Sequence, residues 1–248
     1  MRYFFEISYD GSHYHGWQRQ KNAISVQEVV EDALSMILRK PIAITGSGRT
    51  DTGVHCEQQY FHADIDNPVK PEQLRRRLNS YLPADIAIPS VKWVSEDAHA
   101  RFSAVSRSYE YRITTEKNPF LENFSYFYPK SLDIQTMNEV ATLLLGVHDF
   151  EAFSKVRTDV NNFVCEITAA QWVKEKDLYI FKITANRFLR GMVRAVVGTL
   201  LNVGKGKMPP GQFKEIIASK DRREAGSAAP ACGLFLTEVR YPAEIFLD

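Results

Sequence analysis

Cysteine is scarce in this chain, and so is any imbalance of charge. The three cysteines, Cys56, Cys165 and Cys232, are odd in number and widely spaced, with no CxxC pair. That pattern excludes a disulfide framework and a zinc ribbon, and leaves small buried thiols in a reducing compartment as the ordinary reading. Lys and Arg total 31 against 30 for Asp and Glu, a formal net charge of +1. Bulk attraction to a polyanion is thereby excluded; such a site has to come from where the arginines are placed. No apolar run approaches the ~18 residues of a membrane span. Glu6 and Asp10 interrupt the N-terminal stretch too early for a signal-peptide core. The expectation is a soluble cytoplasmic protein with no membrane partner. Low-complexity linkers and sequence-level repeats are also missing.

What is present fits a well-filled core: 44% of the 248 residues are hydrophobic and 25% charged. The length allows one large domain or two small ones. RYFFEISYDG reads as a strand stopping at the turn dipeptide Asp10-Gly11. Ser25, with Glu28 three residues on, forms a capping-box pattern before a helix over about Val26 to Lys40. Val26, Val29, Val30, Ala33, Leu34 and Ile37 supply its apolar face, and Pro41 stops it. IAIT is a short strand candidate, VHCEQQYFHAD a longer one, and Pro71 opens a second helix to about Tyr81. IAIPSVKWVSE and SRSYEYRITT are further strands. In the second half, Ile134 to Leu145, Phe188 to Asn202 and Gly211 to Ser219 are helical. FVCEITAAQWVKEKDLYIFKITANRF is a hairpin turning at Glu175-Lys176-Asp177, and GLFLTEVRYP a closing strand. The fold class is α+β: two antiparallel-sheet domains, 1–105 and 106–248, each backed by helices, with an active-site cleft between them.

Residues 46 to 55, GSGRTDTGVH, concentrate the chemistry. A phosphate cradle is a poor reading, because the GxxxxGK[ST] lysine is missing and a strand rather than a helix follows. Asp51-Thr52-Gly53 is the tripeptide around each catalytic aspartate of aspartic proteases. That chemistry needs two carboxylates sharing a proton. This chain has one such tripeptide, so a dimer would have to supply the second, and Arg49 would hold Asp51 ionised. A third reading is a tight turn in which Asp51 satisfies backbone N–H groups. The fourth is a lone nucleophilic or charge-stabilising carboxylate, which requires a guanidinium on rigid structure as counterweight to desolvation.

Several cations are candidates for placed charge. Arg187 and Arg190 precede Arg194 by seven and four residues, which on one helix stacks the three along a stripe. Arg75, Arg76 and Arg77, with Lys205 and Lys207, are candidate phosphate contacts, although most such runs are solvated faces. His13 and His15 are the best metal pair available, but a third partner is lacking and no metal is expected.

GRTDTGVH resembles the catalytic loop of the bacterial A-type tRNA pseudouridine synthases, which act on the anticodon arm. YDGSHYHGWQRQ followed by VQEVVEDAL is similar to that family's N-terminal strand, loop and helix. RFSAVSRSYEYRI resembles the segment carrying its tyrosine. FLRGMVRAVVGTLLNVGKG and APACGLFLTEVRYP resemble its C-terminal helix and closing strand. The resemblance spans essentially the whole chain, with Thr52 standing where the family usually has alanine or lysine. It implies that Asp51 is the nucleophile, attacking the target uridine at the base or at C1′. The uracil is then detached, rotated and rejoined through carbon, with no cofactor and no metal. Arg194 is implied as the partner of the carboxylate, Arg187 and Arg190 as RNA-facing, and Arg49 as filling the space of the extruded nucleotide or holding its phosphate. Tyr109 is implied to stack on the uracil and handle the C5 proton, and Leu234 to pack against the base. The implied partners are a tRNA, modified at positions 38, 39 and 40, and a second copy of the chain in a homodimer. A non-catalytic RNA-binding module on the same scaffold, and more remotely the dimeric protease, remain the alternatives.

Overall fold

The computed structural model describes residues 1–155 and 162–247. In chain order the strands are β1 (Arg2–Tyr9), β2 (Thr45–Gly46), β3 (His55–Asp64), β4 (Ile86–Ala87), β5 (Val91–Val94) and β6 (Ser106–Thr114). They continue with β7 (Tyr126–Phe127), β8 (Gly146–Asp149), β9 (Val164–Glu175), β10 (Leu178–Ala185), β11 (Leu234–Arg240) and β12 (Phe246–Leu247). The helices are α1 (Val26–Leu38), α2 (Pro71–Tyr81), α3 (Ile134–Ala141), α4 (Met192–Gly204) and α5 (Pro210–Ser219). The content is α+β, and the chain divides into two compact units.

The first unit comprises Met1–Val105 together with Phe235–Asp248. Its sheet runs β12-β5-β1-β3-β11, with β2 on β3 and β4 on β1. β1 is central, antiparallel to both β3 and β5, which is why Tyr3, Phe4 and Phe5 are all buried on their two faces. Phe5 lies opposite Phe61 in the register, and their rings stack at 4.7 Å. The expected second domain, 106–248, differs from this grouping at its C-terminal end. β11 pairs parallel with β3, Phe235 opposite His55, and β12 pairs with β5, so the C-terminal residues return to the first unit. Adjacency along the chain could not reveal a parallel pairing made across so many residues.

Ser25 caps α1 as its sequence predicts, its side chain accepting from the Glu28 amide at 3.3 Å. α1 ends at Leu38, because Arg39 takes a left-handed φ of 56°, with Pro41 just beyond. The strand expected at IAIT shrinks to β2. Side chains of α1 take the backbone donors a ladder would have used: Ile44 N–H goes to Glu31 Oε1 (3.3 Å) and Ile42 N–H to Ser35 Oγ (3.0 Å). IAIPSVKWVSE splits into β4 and β5. Pro89 has no N–H, and the Asn79 amide holds Ile88 at both its N–H and its carbonyl, each at 2.8 Å.

The second unit is Ser106–Leu234. β6, β10, β9 and β8 form an antiparallel sheet, and β7 lies parallel to β6. The β9–β10 hairpin turns where its sequence predicts, with Lys176 at φ 54°. α3 tightens to a 3-10 turn over Thr142–Leu144. α4 begins at Met192 rather than Phe188, because Gly191 adopts φ 71° at its N-cap. Almost all of α4 is buried. It is held against the segment before β11: Gly226 N–H donates to Thr199 Oγ1 at 2.9 Å, and a Cβ on Gly198 would lie 1.8 Å from the Ser227 carbonyl oxygen. Among the described residues no helix is long and apolar enough to cross a membrane.

Gly198→Ala tests this packing. The added methyl meets backbone rather than a flexible side chain, so we expect a loss of about 3 kcal/mol, the upper range for overpacking. Thermal or urea unfolding of the purified variant reads it directly.

Candidate functional site

The loop at Gly46–His55 joins β2 to β3 in the first unit, and it is pinned along its length. Ser47 N–H donates to the Tyr60 carbonyl at 2.7 Å. The Thr50 carbonyl accepts from Trp17 N–H at 3.2 Å, and Gly53 N–H donates to the Tyr14 carbonyl at 3.3 Å. Val54 N–H closes a turn onto the Asp51 carbonyl at 3.1 Å, with Gly53 at φ 73°. A positive φ at the third of four residues is what a type II turn requires, and glycine supplies it. Along the loop Arg49 is exposed, Thr50 buried and Asp51 half-buried. The buried residue between them is therefore the anchor, and its two neighbours are the ones displayed.

YDGSHYHGW builds the platform under that loop, a role its pattern alone does not disclose. A Cβ on Gly16 (φ 86°) would stand 2.4 Å from the Thr50 carbonyl oxygen, and one on Gly11 would stand 2.0 Å from that of Val54. Both glycines are the price of backbone lying on backbone. Asp10 shapes the turn by accepting from Ser12 N–H (2.9 Å) and Ser12 Oγ (2.6 Å). His55, buried and stacked on Phe235 at 4.6 Å, presents Nδ1 to Gly11 N–H at 3.2 Å and to Asp10 Oδ1 at 3.1 Å. The amide needs a lone pair on that nitrogen and the carboxylate needs a proton, so the two contacts serve different protonation states. Burial raises the Asp10 carboxyl, but the Ser12 hydrogen bonds and nearby His55 bring it below the ordinary value on balance.

The second unit carries the other residues singled out from the sequence. Arg194, in the first turn of α4, donates Nε–H to the Ala229 carbonyl at 2.7 Å, and Ala229 N–H returns a bond to the Arg194 carbonyl at 2.9 Å. The plane of its guanidinium is thereby set. Arg187 and Arg190 do not share a helical stripe with it, since both precede the helix. Arg190 instead offers its carbonyl to Lys155 N–H at 2.9 Å. Tyr109 and Tyr111 alternate on β6 with different fates. Tyr111 is core, its hydroxyl bonded to the Pro230 carbonyl at 2.9 Å, and burial pushes its pKa well above the usual range. Tyr109 is half-buried, edge-on to Phe188 at 5.1 Å. Leu234 is buried at 5% exposure.

The remaining cations differ in how far they are engaged. Arg75 and Arg76 both bind Glu72, at 2.8 and 2.9 Å, and Arg77 donates to the Ile37 carbonyl at 2.7 Å. Lys205 sits 4.5 Å over the Tyr128 ring, and burial followed by Lys207 lowers its pKa. Among the described residues no three His, Cys, Asp or Glu side chains cluster as metal ligands would. Burial raises the Cys165 thiol to about 11 and raises the Cys56 thiol as well, so neither is poised as a nucleophile.

This chain belongs to the tRNA pseudouridine synthase family, whose model matches residues 7–103 and 140–242. More particularly, it is similar to bacterial proteins named tRNA pseudouridine synthase A. The one from Porphyromonas gingivalis is 48% identical over 99% of both chains. That from Bacteroides fragilis is 47% identical over 99% of this chain and 98% of its own. A more distant one, from Streptococcus thermophilus, is 42% identical over 97% and 99%.

Gly16→Ala separates the platform from the rest of the first unit. With the Thr50 carbonyl in the way and φ positive, the loop must lift. We expect a loss of about 2–3 kcal/mol in stability and faster amide exchange concentrated at residues 47–54, read by hydrogen exchange with mass spectrometry.

Proposed function

We propose that the chain converts uridine to pseudouridine at positions 38, 39 and 40 of the tRNA anticodon stem-loop, with Asp51 as nucleophile. The observation that carries the reading is the half-buried carboxylate on a loop held at both ends by backbone hydrogen bonds. Family membership supplies the reaction class, and the names of the relatives supply tRNA as substrate. A nucleophile of this kind has to be ionised and rigid, and Arg194 is assigned as its counter-ion because its guanidinium is already oriented by Ala229.

The chemistry balances within the substrate. The N1–C1′ bond breaks, the uracil turns while still held, and a C5–C1′ bond forms. The C5 proton departs and N1 gains one, so the sum is an isomerisation without net oxidation or reduction. Asp51 attacks either the base or C1′. Tyr109, not consumed by core packing as Tyr111 is, stacks on the uracil and is placed to handle the C5 proton. Stacking of this type is worth ~1–3 kcal/mol per base, comparable to the few kcal/mol needed to unstack a loop nucleotide. Arg49 takes the space or phosphate of the extruded nucleotide, Leu234 packs against the base, and Arg187, Arg190 and Lys205 face phosphates. The reading includes a homodimer spanned by one tRNA and a cytoplasmic location, where tRNA is available.

Release of tritium from C5-labelled tRNA tests the claim. Asp51→Ala should fall to background while tRNA binding persists, because Arg49 and the other cations remain. Full activity in that variant would overturn the nucleophile assignment, whereas loss of binding along with activity would favour a binding role for the loop. Arg194→Met should lose about 100-fold or more in rate and also melt lower, since the Ala229 contact goes with it.

A further inference from the structure

Beneath Asp51 runs a chain of buried polar groups that its role as nucleophile does not itself explain. Tyr9 Oη lies 2.8 Å from Thr50 Oγ1 and accepts from Gln59 Nε2 at 3.1 Å. Gln59 Oε1 in turn accepts from Ser47 Oγ at 3.4 Å. Every member is buried: Tyr9 at 5% exposure, Thr50 at 8%, Gln59 at 0% and Ser47 at 2%. The chain begins and ends on the loop itself, at Ser47 and at Thr50, and passes through β1 and β3 between them.

Gln59 donates to the phenol oxygen, and the phenol shares with the Thr50 hydroxyl a hydrogen bond in which either oxygen can donate. A hydroxyl at 8% exposure has little access to water, so Thr50 depends on Tyr9 for satisfaction. The Thr50 carbonyl is held independently by Trp17 N–H. Side chain and backbone of the residue before Asp51 are thus fixed from two directions, while the turn closed by Val54 fixes the residues after it. The backbone that carries the carboxylate cannot shift without breaking one of these bonds.

We infer that Tyr9 is a positioning residue for Asp51, acting through Thr50, with Gln59 orienting the phenol. The inference rests on Asp51 being the nucleophile. Tyr9 touches neither substrate nor reacting atoms; it sets the angle at which the carboxylate meets the uridine. Reaction rate is sensitive to such placement, a 1 Å error costing up to about 100-fold, whereas tRNA binding is not. Losing the phenol oxygen should therefore depress turnover and leave affinity alone.

The experiment measures single-turnover pseudouridine formation, tRNA dissociation constant and melting temperature for Tyr9→Phe, Thr50→Val, their double variant and Thr50→Ser. Tyr3→Phe is the control: its hydroxyl also makes buried bonds in the first unit, to the Val69 carbonyl (2.9 Å) and amide (3.0 Å), away from the loop. We expect Tyr9→Phe and Thr50→Val each to slow the chemical step by about 10- to 100-fold, with affinity within about twofold and the double variant no slower than the worse single. Thr50→Ser should recover most of what Thr50→Val loses. The control should melt lower at an unchanged rate. A wild-type rate in Tyr9→Phe, a rate loss equal to that of Tyr3→Phe, or multiplicative losses in the double variant would each overturn the inference. Asp51→Asn run alongside keeps the two claims apart: if it remains active the nucleophile reading fails, and if it is dead while Tyr9→Phe is normal only the positioning claim fails.

Discussion

The first unit is organised around one steric fact: backbone must lie against backbone where the Gly11–Gly16 turn meets the Thr50–Val54 stretch. Side chains at either glycine would occupy the space of a carbonyl oxygen. Once that approach is allowed, Trp17 and Tyr14 can bond the loop through their main chains, and main-chain bonds carry no rotamer freedom to lose. The aromatic ring of Trp17 also fills the space against Gly46, where a Cβ would fall 2.5 Å from the indole nitrogen. A loop that would otherwise be a mobile surface connection is built into the core on its lower side.

The second unit reaches a similar end by similar means. Gly198 lets α4 touch the Ser227 carbonyl, and that closeness brings Ala229 within reach of both the backbone and the guanidinium of Arg194. A long flexible side chain is restrained by a charge-assisted bond at Nε. Asp51 thus owes its placement to glycines far from it in sequence, and Arg194 to a glycine one turn along its own helix. Replacing such glycines would disturb function without touching a functional group.

Local signals were readable in proportion to how locally they are decided. The Ser25 cap, the Pro71 helix start and the β9–β10 turn depend on neighbours within a few residues, and each falls where the pattern puts it. The IAIT strand did not, because Glu31 and Ser35 on a helix took its backbone donors. The start of α4 was misplaced because apolar spacing continues through Phe188 and Leu189 while Gly191 turns the chain. The later start matters for function, since it leaves Arg187 and Arg190 outside the helix and dissolves the three-arginine stripe. The return of β11 to β3 was unreadable for another reason: nothing in a strand's own residues names a parallel partner far away in sequence. At the site, the GRTDTG loop was conspicuous by its residue types, whereas Tyr9, Gln59 and Trp17 look like ordinary strand and core residues until their hydrogen bonds are seen.

Near-neutral charge and a polyanionic substrate are reconciled by how the cations are spent. Arg2 is matched to Asp64, Arg19 to Glu31, Arg75 and Arg76 to Glu72, Arg112 to Glu110 and Arg223 to Asp221. Most of these pairs are solvent-exposed and add little stability, but each removes a cation from the field an approaching RNA would feel. The triple-arginine run is the clearest case: it is the densest positive stretch in the sequence, yet Glu72 offsets two of its members. Arg49, Arg187 and Arg190 make no ion pair among the described residues. At net +1 a surface-wide potential is too weak to carry phosphate recognition, and the proposed function assigns it instead to a few placed arginines. Such a protein should bind weakly to nucleic acid in general and derive its affinity from one docked geometry.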